Sequence, residues 1–340
     1  MTAVDFLSRY DIDFAHSLDQ KGLGTVYTAF EKESGIQYAI KVIELHPLFD
    51  KGELLERYNF AASLSHPSLL EYKECRRFPN EESVQHFVIM PYVKEGTLAD
   101  NMEELGFEEK CEILEKVLQG LAYLHENNSS WQLLRSDHIL LANSENGIDP
   151  KFINYGAREL LNKAFFTNYE YLAPEQLIEQ TETYNSTATD IWAFAVLAFE
   201  MFTGVLPFGR KSVQNPNKKI MDRIIQNEVS QLFDKIPSTY TEIIKSCLVA
   251  DIDARPTAVQ ILETLKQEKP SRPTSKQKES GILQTLEKMG ESHSPETEEK
   301  GILPFLNRKI KRKASKPISL WEPILWILFA IIAGYILSKL

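Results

Sequence analysis

Four short strings hold the residues that could do chemistry. Gly22-Leu23-Gly24-Thr25-Val26 carries glycines, whose missing side chains leave backbone N–H groups free to approach an anion. Lys41, closing Tyr38-Ala39-Ile40-Lys41, supplies a positive charge. Trp131-Gln132-Leu133-Leu134-Arg135-Ser136-Asp137-His138-Ile139-Leu140-Leu141 contains one acid, Asp137, and Asn154-Tyr155-Gly156 follows it. Leu133 has no lone pair with which to accept a proton. The three cysteines, Cys75, Cys111 and Cys247, show neither pairing nor metal-ligand spacing and read as buried thiols of a reducing compartment.

The surrounding elements must hold these strings in place. Cys111, Leu114, Val117, Leu118, Leu121 and Leu124 recur at the helical period and form one apolar face. Ile191 to Phe202 is apolar nearly all round, as expected of a fully buried helix. Further landmarks punctuate the chain: His66-Pro67, Val88-Ile89-Met90-Pro91-Tyr92-Val93, Ala173-Pro174-Glu175, Asp190-Ile191-Trp192 and Arg255-Pro256-Thr257. Each is weak alone, but their order and spacing are not.

Over residues 8–266 this order resembles the eukaryotic-type protein kinase superfamily, in a pseudokinase form. The implied fold class is α+β and bilobal, with a small β-rich N-lobe and a larger helical C-lobe. The resemblance puts Trp131, Gln132 and Leu133 on His-Arg-Asp, His138 on the metal-binding Asn, and Asn154-Tyr155-Gly156 on D-F-G. Leu133 therefore replaces the catalytic aspartate, which implies an inactive homologue and no enzyme.

The same resemblance implies a nucleotide pocket. Leu18, Val26 and Ala39 would lie above the adenine, Leu140 below it, Met90 at the gatekeeper and Val93 at the hinge. Lys41 would reach the phosphates. Its usual glutamate partner falls on Arg57, with Glu56 next door and Glu53 one turn earlier, so a structural ion pair is an equal reading. Asp19 and Lys21 replace two loop glycines, and only Gly24 keeps its register. Asn154 replaces the D-F-G aspartate with an amide and His138 replaces the second magnesium ligand with an imidazole, a poor exchange for magnesium, so no metal site is assigned. The expected cofactor is none, or ATP without magnesium. Asp137 lies four positions past Leu133 and reads as a solvent-facing or turn-capping acid. Glu175 with Arg255, and Asp190, resemble structural charges of the C-lobe.

Charge is split along the chain. Residues 268–340 carry 13 Lys+Arg against 8 Asp+Glu, so a total of −10 leaves residues 1–267 strongly acidic. An acidic domain argues against nucleic-acid binding. Residues 267–317 read as a disordered linker rich in Glu, Lys, Ser, Thr and Pro, interrupted by two similar segments, Gly281-Ile282-Leu283-Gln284-Thr285-Leu286 and Gly301-Ile302-Leu303-Pro304-Phe305-Leu306. These suit either docking peptides or short amphipathic turns. The basic residues from Arg308 to Lys316 precede Ile318 to Leu337, which as a helix would span about 30 Å, enough for a bilayer. The positive-inside rule then puts the N-terminal domain in the cytosol, on a single-pass tail anchor whose organelle stays open.

The sequence thus leads to the expectation of a membrane-held scaffold or allosteric regulator that binds unidentified protein partners. Its rivals are a weakly active Ser/Thr kinase using Lys41, Asn154 and Asp137, and an ATP-binding switch.

Overall fold

The computed structural model describes residues 2–19, 24–47, 52–80, 83–145, 147–155, 169–178 and 187–270. Lys21, Gly22, Gly156, the duplicated apolar segments, the basic residues from Arg308 to Lys316 and Ile318 to Leu337 lie outside these ranges. Among the described residues no helix is long and apolar enough to cross a membrane.

The N-lobe is an antiparallel sheet of five strands in the order β1-β2-β3-β5-β4. They are β1 (Tyr10–Asp19), β2 (Thr25–Glu31), β3 (Gln37–Leu45), β4 (Glu74–Pro79) and β5 (Val84–Pro91). Alternation on β3 and β5 explains how both faces are covered. Ile40, Phe87 and Ile89 face one side, where they pack with Phe6 of α1 (Ala3–Leu7), Tyr10 and Ala29. Ala39, Ile43, Val88 and Met90 face the other and join the main core, with Leu54, Tyr58 and Ala61 of α2 (Glu53–Ser63). Lys41 shares the period of Ala39 and Ile43, opposite Val88. The pleat therefore turns it inward rather than to solvent.

The C-lobe is helical: α3 (Leu98–Asn101), α4 (Phe107–Glu126), α5 (Pro174–Ile178), α6 (Thr187–Thr203), α7 (Asn217–Gln226), α8 (Ser238–Cys247) and α9 (Ala258–Gln267). The expected face of α4 is buried at Leu114, Val117, Leu118, Leu121 and Leu124, with Cys111 half-buried at its rim. Gly120 on the same helix lets it approach the end of β7; a Cβ there would sit 2.7 Å from the Phe152 ring. Thr189 to Met201 of α6 are all buried, as an all-round apolar helix requires. The hairpin β6 (Ile139–Ser144) and β7 (Gly147–Phe152) pairs Ile139 with Phe152 and so brings the loop before β6 beside the residues after β7. A bilobal α+β fold is what the sequence implied.

Candidate nucleotide site

Lys41 is only 6% exposed, and its ammonium donates to Asn154 Oδ1 at 2.8 Å. It has no ion-pair partner among the described residues. Glu53 and Glu56 of α2 are exposed and Arg57 is half-buried, and neither glutamate pairs with Lys41. Burial pushes Lys41 down to about 8, and the charge of Asp19 opposes that only in part. The usual lysine–glutamate pair is thus replaced by a cation on a neutral amide. Asn154 adopts a left-handed backbone, φ 62°, which Asn tolerates better than most residues, and its N–H donates to the Tyr72 hydroxyl at 2.9 Å. Tyr155 stacks on Tyr72 and donates to Leu70 O at 2.7 Å, fixing the turn from below.

The apolar walls gather around the same strands. Ala39 and Met90 are cross-strand partners and both are buried. Leu18, Val26, Val93 and Leu140 are partly buried and pack against the cluster that holds them. Leu140 is tied in by a bridge to Thr97. Gly24 keeps φ 91°, and a Cβ there would collide with the Val42 carbonyl, so its glycine has a steric reason of its own. Of the eight residues expected at the pocket, Lys41 and Asn154 are bonded to each other, and the six apolar ones lie in or against the main core.

The loop before β6 is braced from the C-lobe. Fully buried Asp190 accepts from the Trp131 N–H at 2.7 Å, from the Gln132 N–H and from His125 Nε2 at 3.2 Å. Trp131 stacks on Phe152 at 4.2 Å and donates through Nε1 to Ile153 O at 3.0 Å, so an indole performs the bracing at this position. Leu133 is buried in the core cluster. Asp137 keeps part of its side chain exposed, and Arg135 grips it through Nε at 2.8 Å and through a second guanidinium nitrogen. Burial alone would raise the Asp137 carboxyl, but the guanidinium holds it below the usual range. His138 donates from Nδ1 to the Leu133 carbonyl at 2.7 Å. Burial, aided by the charge of Arg135, pushes its imidazole down to about 4, against the opposing pull of Asp137.

Magnesium is ill served here. Asn154 Oδ1 is committed to Lys41, His138 Nδ1 to Leu133, and Asp137 to Arg135. Among the described residues no three His, Cys, Asp or Glu side chains group as a metal site. The residues present do not fit the ion, and no step is routed through it. Sequence reasoning missed three things: the Lys41–Asn154 bond, the Arg135 grip on Asp137 and the His138 bond to Leu133. Only the Arg135–Asp137 spacing, two residues apart and of opposite charge, carried a local signal.

Residues 16–265 match the family described as "Protein kinase domain". Among similar proteins is the mitogen-activated protein kinase kinase kinase nsy-1 of Caenorhabditis elegans, 27% identical over 75% of this chain and 18% of its own length. The serine/threonine-protein kinase sid1 of Schizosaccharomyces pombe is 28% identical over 72% of this chain and 51% of its own. Myosin light chain kinase A of Dictyostelium discoideum is 24% identical over 74% of this chain and 85% of its own. The chain thus spans a fifth to a half of the length of the first two. These matches overturn the expectation that the chain is no enzyme, since the proteins it resembles over this domain are named as kinases. The physical reason is one of size: a positioned base contributes about 10²–10⁴-fold, whereas phosphoryl transfer rests mainly on positioning and electrostatics. The loss of a base at Leu133 is by itself no ground for calling the chain inactive. With well over half its length matched and the lobes, strand order and braced loop in place, the chain belongs to the protein kinase domain family.

Proposed function

We propose that this chain binds ATP and is an atypical, weakly active Ser/Thr protein kinase in which Lys41 holds the phosphates. The observation that carries the reading is a buried ammonium whose one hydrogen-bond partner among the described residues is a neutral amide. A phosphate would supply the missing anion, and the walls of Leu18, Val26, Ala39, Met90, Val93 and Leu140 suit an adenine ring. Binding in this reading does not need magnesium, because Lys41 supplies the positive charge that meets the phosphates.

The test is unfolding of the full chain in mild detergent against ATP, with magnesium and with EDTA, beside transfer of labelled phosphate to a Ser/Thr peptide library. Ligand at a hundred times its dissociation constant adds about 2.7 kcal/mol. We expect a shift in both buffers and slow transfer, both lost in Lys41→Ala. No shift in either buffer refutes the reading. A shift without transfer leaves the ATP-binding switch, which buried Leu133 favours.

We also infer that Ile318 to Leu337, with the basic residues from Arg308 to Lys316, anchors the domain at a cytosolic membrane face. Protein partners would be recruited through the duplicated apolar segments. Carbonate-resistant membrane pelleting that is lost on truncation at 317 tests the first. Loss of co-purifying proteins on deletion of 278–306 tests the second.

A further inference from the structure

His138 stands at an unusual junction. Its backbone carbonyl accepts from the Ile153 N–H at 3.1 Å, which sets it beside Asn154 and therefore beside the Lys41 contact. Its own N–H closes a tight turn on Arg135 O at 3.0 Å. The ring is half-buried. Its Nδ1 faces the carbonyl oxygen of Leu133, and a carbonyl can only accept. The hydrogen of the neutral ring is therefore on Nδ1, and the lone pair is on Nε2. Nε2 makes no hydrogen bond among the described residues.

The charged groups around the ring are Arg135 and Asp137 on its own turn and Lys41 from β3. Arg135 and Lys41 disfavour the imidazolium, while Asp137, drawn to Arg135, favours it only partly. The ring is thus neutral near pH 7. At about 4, its basicity matches that of an ordinary aspartate.

We propose that His138 Nε2 is the proton acceptor for the substrate hydroxyl, a role that Leu133 cannot fill. The proposal rests on the kinase reading above. The hydroxyl oxygen attacks the γ-phosphorus of ATP and forms the new O–P bond. The bridging P–O bond breaks, and ADP leaves with its electron pair. The hydroxyl proton passes to Nε2, and the imidazolium returns it to solvent. Nδ1–H stays on the Leu133 carbonyl throughout, which orients the ring as a positioning group would orient a catalytic histidine.

The test compares wild type with His138→Asn and His138→Ala as full chains, by steady-state transfer to the peptide library and by unfolding with ATP. Asn retains a donor for the Leu133 carbonyl but has no basic nitrogen. We expect turnover to fall about 100-fold or more in both variants, with KM for ATP and the ATP-induced shift unchanged. In His138→Ala, added imidazoles should restore turnover in proportion to their basicity. Turnover in His138→Asn within about threefold of wild type overturns the proposal while leaving the kinase reading intact. So does a loss of turnover that no imidazole restores. Wild type that binds ATP but transfers no phosphate overturns both.

Discussion

Replacing Lys41 with Met should make the free protein more stable, although it removes the best-preserved functional residue. Lowering an ammonium from 10.5 to about 8 penalises its charged form by about 3 kcal/mol at pH 7, at roughly 1.4 kcal/mol per pH unit. Against this stands the lost bond to Asn154 Oδ1, worth about 1 kcal/mol. The net expectation for Lys41→Met is a gain of about 2 kcal/mol. The sign follows from proton binding. Between pH 8 and 10.5 the unfolded lysine keeps its proton and the folded one has lost it, so wild-type stability rises with pH across that window. The advantage of Lys41→Met should therefore shrink from pH 7 and vanish towards pH 10. Urea unfolding of both proteins at pH 7, 8, 9 and 10 reads the difference directly, and the other titrating groups cancel. Saturating ATP should reverse the order at pH 7, because only wild type has a cation for the phosphates. A variant that is less stable than wild type at pH 7, with a difference independent of pH, would refute the picture of an unpaired buried ammonium.

Glu175→Gln should cost about 3–5 kcal/mol, because Arg255, which bonds both carboxylate oxygens at 2.7 and 2.9 Å, would keep an uncompensated buried charge. Glu74→Gln, which loses the pairs to half-exposed Arg9 and Arg76, should cost under about 1 kcal/mol, both variants being read by urea unfolding. Gly120→Ala should destabilise by about 1–3 kcal/mol in urea even though alanine favours helices, since the new Cβ meets Phe152 and Ser68. On the acid side, the folded imidazole of His138 stays neutral down to about 4 while the unfolded one protonates near 6.5. Its contribution is therefore lost as pH falls from 6.5 to 4, and His138→Asn should flatten that limb by up to about 3 kcal/mol.

The sequence made the frame legible wherever a signal was local or periodic. The helical period of α4 and the all-round apolar run of α6 are read directly, whereas Lys41 and Asp190 are placed by the resemblance. The ion pair of Glu175 with Arg255 and the bracing by Asp190 followed from the resemblance and have the expected geometry. What was not legible depends on contacts across the fold. Lys41 meets Asn154 across 113 positions, and no pattern in either string predicts that bond. Asp137 read as solvent-facing because its neighbour Arg135 could have pointed anywhere; only the tight turn of Ser136–His138 brings the guanidinium onto it. His138 read as a failed metal ligand because one letter does not reveal which ring nitrogen is already used. Leu133 read alone misleads, because it is one side chain in a reaction that depends mostly on positioning.

A buried cation with no ion-pair partner among the described residues is costly to keep, so its retention bears on what the site is for. Were Lys41 a structural lysine, the exposed Glu53 or Glu56 of α2 would be the natural partners, yet neither is paired with it. A multiply charged phosphate would stabilise the ammonium and raise its pKa back towards the ordinary value, by the same linkage that makes its burial costly. ATP binding above pH 8 should therefore take up a proton, and affinity should weaken as pH rises through that value. Below pH 8 the ammonium is already charged, so binding should be nearly independent of pH until other groups titrate. Calorimetry at pH 9 in two buffers of different ionisation enthalpy measures that proton. Binding without uptake would mean that the phosphates do not reach Lys41, and a nucleotide would then be held by the apolar walls alone.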